Sequence, residues 1–174
     1  HDPDRLCEIR GVSPKRARAI SEDFRQKMGM RRLAEFLSEH KLSLTAAMPL
    51  YQRFGDYAVD VVRDNPYLLA DRSLEIPFTQ VDALAIELGV AGDDPQRVEA
   101  ALTFELDHNA DNGHVFLPEQ KLLNATAALI GVEGDCLTAG LDALIERGEV
   151  VREDIAGVTA CYPAGLYAAE SYVA

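Results

Sequence analysis

The sequence has no tryptophan, only three cysteines, and no apolar run of the about 20 residues that a membrane span needs. Cys7, Cys136 and Cys161 are scattered and odd in number, which argues against a disulfide framework or a metal-binding spacing. No signal-peptide pattern opens the chain. We therefore expect a cytoplasmic protein with reduced core thiols and no membrane partner. Because the chain begins with His1, we also expect it to be a segment of a longer protein.

Signatures of nucleotide and hydrolytic chemistry are also missing. The sequence contains no phosphate-loop pattern, no Gly-x-Gly, no nucleophile-elbow pattern and no zinc-protease pattern. We therefore expect no catalytic residue and no cofactor in this chain. Asp107, His108, Asp111 and His114 lie close in sequence, but a helix turns successive side chains by about 100°. We expect a solvated helix end there and no metal site.

Charge is divided unevenly along the chain, whose net charge is −12. Residues 1–63 hold 12 Lys and Arg against 9 Asp and Glu, a charge of +3, whereas residues 64–174 hold 5 against 20, a charge of −15. Phosphate groups favour a basic surface, so only the first part suits nucleic acid. The acidic part suits a basic protein surface.

One segment of the basic part, residues 9–17, has the pattern of a helix-hairpin-helix turn: Ile-Arg-Gly-Val-Ser-Pro-Lys-Arg-Ala. Gly11 tolerates positive φ, and Pro14 suits the first position of a helix. Free amides, the helix dipole and nearby cations together predict a phosphate site. The candidate DNA-binding residues are Gly11, Val12 and Ser13, through backbone amides, and Lys15, Arg16 and Arg18, through charge. The alternative is an ordinary interhelical turn with solvated basic residues.

Residues 1–92 are predicted to be helical. The expected helices run from Pro14 to Lys27, Met30 to His40, Ser43 to Phe54, Asp56 to Asn65 and Thr79 to Leu88, with Pro49 inside the third. Helical spacing assigns apolar side chains to the core, with base stacking as an alternative for the last four: Ala17, Ile20, Phe24, Leu33, Leu37, Phe36, Tyr51, Phe54 and Tyr57. Asp82 and Glu87 are expected to be surface acids.

Residues 93–163 show the element order of a winged helix. Helices are expected over 95–112, 118–130 and 135–147, and strands over 115–117, 149–153 and 158–162, with a turn at Ala156-Gly157. A DNA-recognition helix carries Arg, Lys, Asn or Gln, but the helix 135–147 offers Asp135, Asp142, Glu146 and a single Arg147. We therefore expect a protein-facing or architectural role for this part. A final helix within residues 164–174 would lead out of the domain.

In this order, several segments resemble the N-terminal helix-hairpin-helix region of the RecD-like ATP-dependent DNA helicases, the long form of the RecD/TraA group. The matching segments are residues 9–17, 36–43, 51–55, the Asn-Pro-Tyr-x-Leu stretch within 62–70, 76–83, 113–118 and 163–170. The resemblance implies a mainly α fold, a helix-hairpin-helix bundle followed by a winged-helix-like α/β part with a small antiparallel sheet.

The resemblance also implies partners. Motor domains of this superfamily 1 family couple ATP hydrolysis to 5′–3′ movement on single-stranded DNA, in repair and recombination. Residues 1–174 hold none of that machinery, so we expect them neither to hydrolyse ATP nor to unwind DNA; ATP and magnesium would serve the motor alone. The implied role is to hold DNA through its backbone, independently of sequence, and to brace the motor domains of the same chain. The alternative is a scaffold that docks the motor or a repair partner without binding DNA.

Two turns depart from the family's pattern of paired glycines. The first turn keeps Gly11 but has Ser13 at the second position, and serine tolerates a turn and offers a hydroxyl. The third has Glu75 and Pro77 where glycines are expected. Glu75 would repel a phosphate and Pro77 has no N–H to donate, so DNA binding is not expected at residues 75–82.

Overall fold

The computed structural model describes residues 13–166. Within that range lie seven α-helices: α1 (Pro14–Glu39), α2 (Ala47–Phe54), α3 (Ala58–Asp64), α4 (Phe78–Glu87), α5 (Pro95–Asp111), α6 (Glu119–Ile130) and α7 (Asp135–Glu146). The strands are β1 (Leu117–Pro118), β2 (Val150–Ile155) and β3 (Val158–Pro163). The chain divides into two compact units between Gln80 and Val81, inside α4. That residues 1–92 and 93–163 act as separate domains stays a prediction.

The helix α1 is continuous over 26 residues, so the expected division between Lys27 and Met30 is wrong. Gly29 lies inside the helix, where an added Cβ would be 2.5 Å from Asp56 Oδ1 and 2.6 Å from Tyr51 Cε2. The glycine allows close approach to these side chains and does not end the helix. The Tyr51 hydroxyl donates to Asp56 at 2.8 Å. The helix expected to begin at Asp56 begins at Ala58, so that start is wrong.

The start of α2 also differs from the expectation. Ser43 accepts the N–H of Thr45 and opens a 3-10 turn, Leu44–Ala46, before the α-helix begins at Ala47. Pro49 therefore lies in the first turn of α2, where a missing N–H is tolerated. The interior position expected for this proline, with its lost backbone bond, is wrong because the first residues of the segment are not α-helical.

The core of the first unit is formed where one face of α1 packs against α2 and α3. Leu33, Phe36 and Leu37 are buried on that face, as predicted. Tyr57 is 72 % exposed, so its expected core position is wrong. Tyr57 ends the 3-10 turn Gly55–Tyr57, to which the spacing of an α-helix does not apply. Ile20 and Phe24 are likewise more exposed than their helical spacing predicts.

In the second unit the observed element order is the predicted one: α5, β1, α6, α7, β2, β3. The sheet is antiparallel with the order β1-β3-β2. Ala156 and Gly157 join β2 to β3 with φ of 52° and 83°, the positive values that a two-residue hairpin turn requires. The first strand begins at Leu117 and is shorter than expected, and the expected last helix is described only to Leu166.

The second core lies between the helices and one face of the sheet. Four fully buried leucines come from three helices: Leu102, Leu122, Leu141 and Leu144. Cys161 is buried in β3 as expected, and burial raises the pKa of its thiol to about 11. Cys136 is only half-buried, so its expected core position is wrong. It lies in the exposed first turn of α7. Cys7 lies outside the described residues.

Candidate nucleic-acid interface

The first turn of α1 is the described part of the candidate DNA site. Ser13 has an extended backbone, and its hydroxyl oxygen accepts the N–H of Arg16 at 3.3 Å. This is the geometry of a helix N-cap, and Pro14 takes the first helical position as the sequence predicts. Gly11 and Val12 lie outside the described residues, so the amide contacts expected of them stay a prediction.

The serine cap changes what this turn offers to a phosphate. Pro14 has no N–H, and the N–H of Arg16 is already bound by Ser13. The described part of the turn therefore offers fewer free amides than the sequence suggested. It retains the positive end of the helix dipole, the hydroxyl proton of Ser13, which can still be donated, and the side-chain cations.

Three cations surround this turn without a carboxylate partner among residues 13–166. Lys15, Arg16 and Arg18 are exposed, and none forms an ion pair with a described residue. Further along α1, three cations pair with carboxylates three or four residues away: Arg25 with Glu22, Lys27 with Asp23, and Arg31 with Glu35. The uncompensated positive charge of α1 is therefore concentrated at its N-terminal end, with Arg32 as a further exposed cation.

The second unit shows the opposite arrangement. Its described arginines all form ion pairs: Arg97 with Asp82, Arg147 with Glu99 and Glu149, and Arg152 with Glu119 and Asp142. Of the Lys and Arg between residues 81 and 166, Lys121 alone is outside these pairs. The helix α7 accordingly presents Asp135 and Glu146 with no cation free to meet a phosphate. That α7 does not read bases stays a prediction.

Asp82 was expected to be a surface acid, and that expectation is wrong. Its two carboxylate oxygens accept from Arg97 Nε and Nη2, each at 2.8 Å, and Arg97 Nη1 donates to the carbonyl of Gly92 at 2.7 Å. The pair joins α4 to α5 and to the loop between them. Sequence reasoning missed it because the partners lie 15 residues apart.

Two further turns share the same backbone conformation and order of residues. Lys41 has φ of 58°, Leu42 is buried, and Ser43 opens the next helical segment. Glu75 has φ of 53° and is followed by the buried Ile76, shortly before α4 begins. Each turn thus has a left-handed residue, then a buried apolar residue, then a helix start. Glu75 occupies the conformation that a turn glycine favours, so the turn survives without its glycine.

Replacing Glu75 by glycine is expected to raise the free energy of unfolding by about 0.5–1 kcal/mol, because a left-handed residue with a Cβ is strained. Urea unfolding followed by circular dichroism measures the change. Glu105→Gly in the interior of α5 is the matched control and should lower stability by a similar amount. Equal destabilisation by both changes would show that position 75 carries no strain.

Membrane-spanning helices and metal-binding clusters were sought among residues 13–166. Among its helices, none is long and apolar enough to cross a membrane. Between residues 13 and 166, no three His, Cys, Asp or Glu side chains are grouped to hold a metal ion. Asn112 contacts the ring and the carbonyl of His108 through its amide nitrogen, at the C-terminal end of α5.

Helices joined by short turns of this kind define a helix-hairpin-helix protein. A family model described as the ATP-dependent RecD2 DNA helicase HHH domain matches residues 26–116, and the chain belongs to that family. The chain is also similar to the ATP-dependent RecD2 DNA helicase of Deinococcus radiodurans, with 24 % identity over 154 residues. That alignment covers 88 % of this chain and 21 % of the relative, so the chain spans about a fifth of the relative's length.

Proposed function

We propose that this chain is an accessory region of a DNA helicase and that it holds DNA through the start of α1. The contacts would be made by Lys15, Arg16 and Arg18 together with Ser13, and by the turn residues Gly11 and Val12. The observation that carries the proposal is the set of three exposed cations at one helix N-terminus that have no carboxylate partner in the described part of the chain. A phosphate there gains from the cations and from the helix dipole together.

Such contacts reach the backbone and carry no base information, so binding is independent of sequence. Three to five phosphate contacts would give a slope of about −2.7 to −4.5 for log affinity against log salt on duplex DNA. The acidic second unit would repel DNA. We propose that it braces the ATP-driven motor by docking onto a basic surface of that motor. ATP and magnesium belong to that motor and not to residues 1–174.

Reversing both charges in Lys15→Glu/Arg16→Glu is expected to weaken DNA binding about tenfold or more and to make the salt slope less negative by about 1.8. Fluorescence anisotropy of labelled duplex, single-stranded and forked DNA measures both quantities. Acidic residues in the first turn favour a helix, so the double variant should keep its circular dichroism and melting temperature. Lost affinity then reports a lost contact and not unfolding.

The control is Lys27→Glu/Arg31→Glu, which makes the same change in net charge on the same helix. Both of these cations are already paired with carboxylates, so we expect less than a threefold loss of affinity. Equal losses of DNA affinity in the two double variants would mean that net charge explains the effect, and would contradict a specific site at the start of α1. DNA binding that neither variant changes would remove the α1 site, whereas no DNA binding by the unmodified chain would leave the scaffold role.

A further inference from the structure

The register of the β2–β3 hairpin places apolar side chains on one face of the sheet. Directly paired residues point to the same face, and every second residue of a strand shares it. The pairs Val151–Tyr162, Glu153–Ala160 and Ile155–Val158 therefore lie on one face. We call this the outer sheet face, and we include Phe116, whose ring centroid lies 5.5 Å from that of Tyr162.

The opposite face is the one turned to the helices. It carries Arg152, which is paired across the ladder with Cys161. Arg152 reaches Glu119 of α6 and Asp142 of α7, each at 2.8 Å. Because these helices lie against the Arg152 side, the outer sheet face is directed away from them.

The outer sheet face is apolar and partly open. Phe116 is 40 % exposed, Ile155 39 % and Val158 46 %. Isolated exposed apolar residues are ordinary on protein surfaces, but Ile155 and Val158 share one face of the hairpin, and Phe116 adjoins that face at Tyr162. Tyr162 and Ala160 on the same face are buried, so the open parts are Phe116 beside Tyr162 and the pair Ile155 and Val158 at the tip.

The tip is also firmly held. β1 pairs with β3 only at Cys161 and Ala160, so Ile155 and Val158 extend beyond the third strand. The turn is fixed by Asp154, whose carboxylate accepts the N–H of Gly157 at 2.9 Å. Ile155 and Val158 therefore form a preorganised apolar pair, so the hairpin loses little conformational entropy when it binds a partner.

Charge decides which partner this face fits. Glu153 lies on the outer sheet face between Val151 and Ile155, and it forms no ion pair with a described residue. A phosphate backbone would be repelled there, and the arginines of this unit are already paired. A protein surface with an apolar contact and a Lys or Arg opposite Glu153 would be complementary.

We propose that the outer sheet face docks onto the basic motor part of the helicase, with Ile155 and Val158 in an apolar recess and Glu153 against a cation. The proposal rests on the bracing role given above. A motor that moves along DNA carries cations for the phosphates, so we expect basic residues beside its DNA path that can meet Glu153. The D. radiodurans relative has about four fifths of its length outside the aligned part, which is room for such a surface.

The test is photo-cross-linking in the complete chain of the helicase that carries this region. Benzoylphenylalanine replaces Val158 in one sample and Thr159 in the other, and mass spectrometry maps the products. Thr159 is the matched control because it is adjacent, exposed and on the opposite face of the hairpin. We expect position 158 to cross-link to a motor peptide outside residues 1–174, with a yield at least tenfold above that of position 159.

A second pair of variants tests docking without placing the cross-linker in the hairpin, where it could distort the strands. With the cross-linker at Phe116, adding Glu153→Lys should lower the yield at least fivefold, while Glu149→Lys, outside the strand pairing, should not. Unchanged melting temperatures confirm that both variants fold. A cross-link from position 158 to DNA or to a second copy, equal yields at 158 and 159, or no product would each overturn the proposal.

The docking proposal and the DNA-binding proposal can be refuted independently of each other. DNA anisotropy on the Glu153→Lys chain should show no loss of affinity, because α1 is untouched and the new charge is positive. Conversely, Lys15→Glu/Arg16→Glu should lose DNA affinity and retain the cross-link from position 158. Loss of both signals in one variant would mean that the two surfaces are not independent, and the docking proposal would be withdrawn.

Discussion

Replacing Arg97 with methionine is expected to lower the free energy of unfolding by about 3–5 kcal/mol, because it leaves a nearly buried carboxylate without its partner. The Arg97 and Asp82 side chains are 10 % and 17 % exposed. The carbonyl of Gly92 would also lose its donor. Urea unfolding followed by far-ultraviolet circular dichroism measures the loss, which should concern the second unit, where both residues lie.

Two further variants test the cause of that loss. Lys27→Met removes one partner of an exposed pair on α1 and should cost less than about 1 kcal/mol. Arg97→Met combined with Asp82→Leu should recover much of the stability, since no uncompensated charge remains buried. If Lys27→Met and Arg97→Met were equally costly, burial would not be what makes the Arg97 pair important.

Gly140→Ala is expected to destabilise the second unit by about 1–3 kcal/mol through overpacking. An added Cβ would lie 2.7 Å from Val98 Cγ1, where α7 approaches α5. The sign of the stability change identifies overpacking, because alanine in place of glycine at an open helix position stabilises a protein by about 0.5–1 kcal/mol. Thermal and urea unfolding would both report the change.

The control is a double-mutant cycle with Val98→Ala. Removing the Val98 methyl groups opens the space that the new Cβ needs, so Gly140→Ala should be neutral or stabilising in that background. An equal cost in both backgrounds would assign the effect to something other than the contact with Val98.

The order of elements in the second unit was predictable because its signals are local. Gly131 and Gly148 follow helix ends with positive φ, Asp94 caps α5 through the N–H of Gln96, and Ala156-Gly157 makes the hairpin turn. The division of α1 was mispredicted for the converse reason. Gly29 is required by Tyr51 and Asp56, which lie more than 20 residues away, and no local pattern distinguishes such a glycine from a helix stop.

The candidate DNA site was predictable in part. The sequence shows that Lys15, Arg16 and Arg18 adjoin a helix start, and that Pro14 opens the helix. It does not show which cations are already neutralised. Arg147 pairs with Glu99 from 48 residues away, and that pairing exists only in the fold. The sequence also does not show that the Ser13 hydroxyl oxygen accepts a hydrogen bond from the Arg16 amide.

The most direct test of the central claim is the affinity of the 174-residue chain for DNA at a series of salt concentrations. Duplexes of unrelated sequence should bind equally well at low salt, with a slope of about −2.7 to −4.5 for log affinity against log salt. Binding that depends on sequence or is insensitive to salt would contradict backbone contacts by the α1 cations. No binding even at low salt would mean that the turn before α1 is structural.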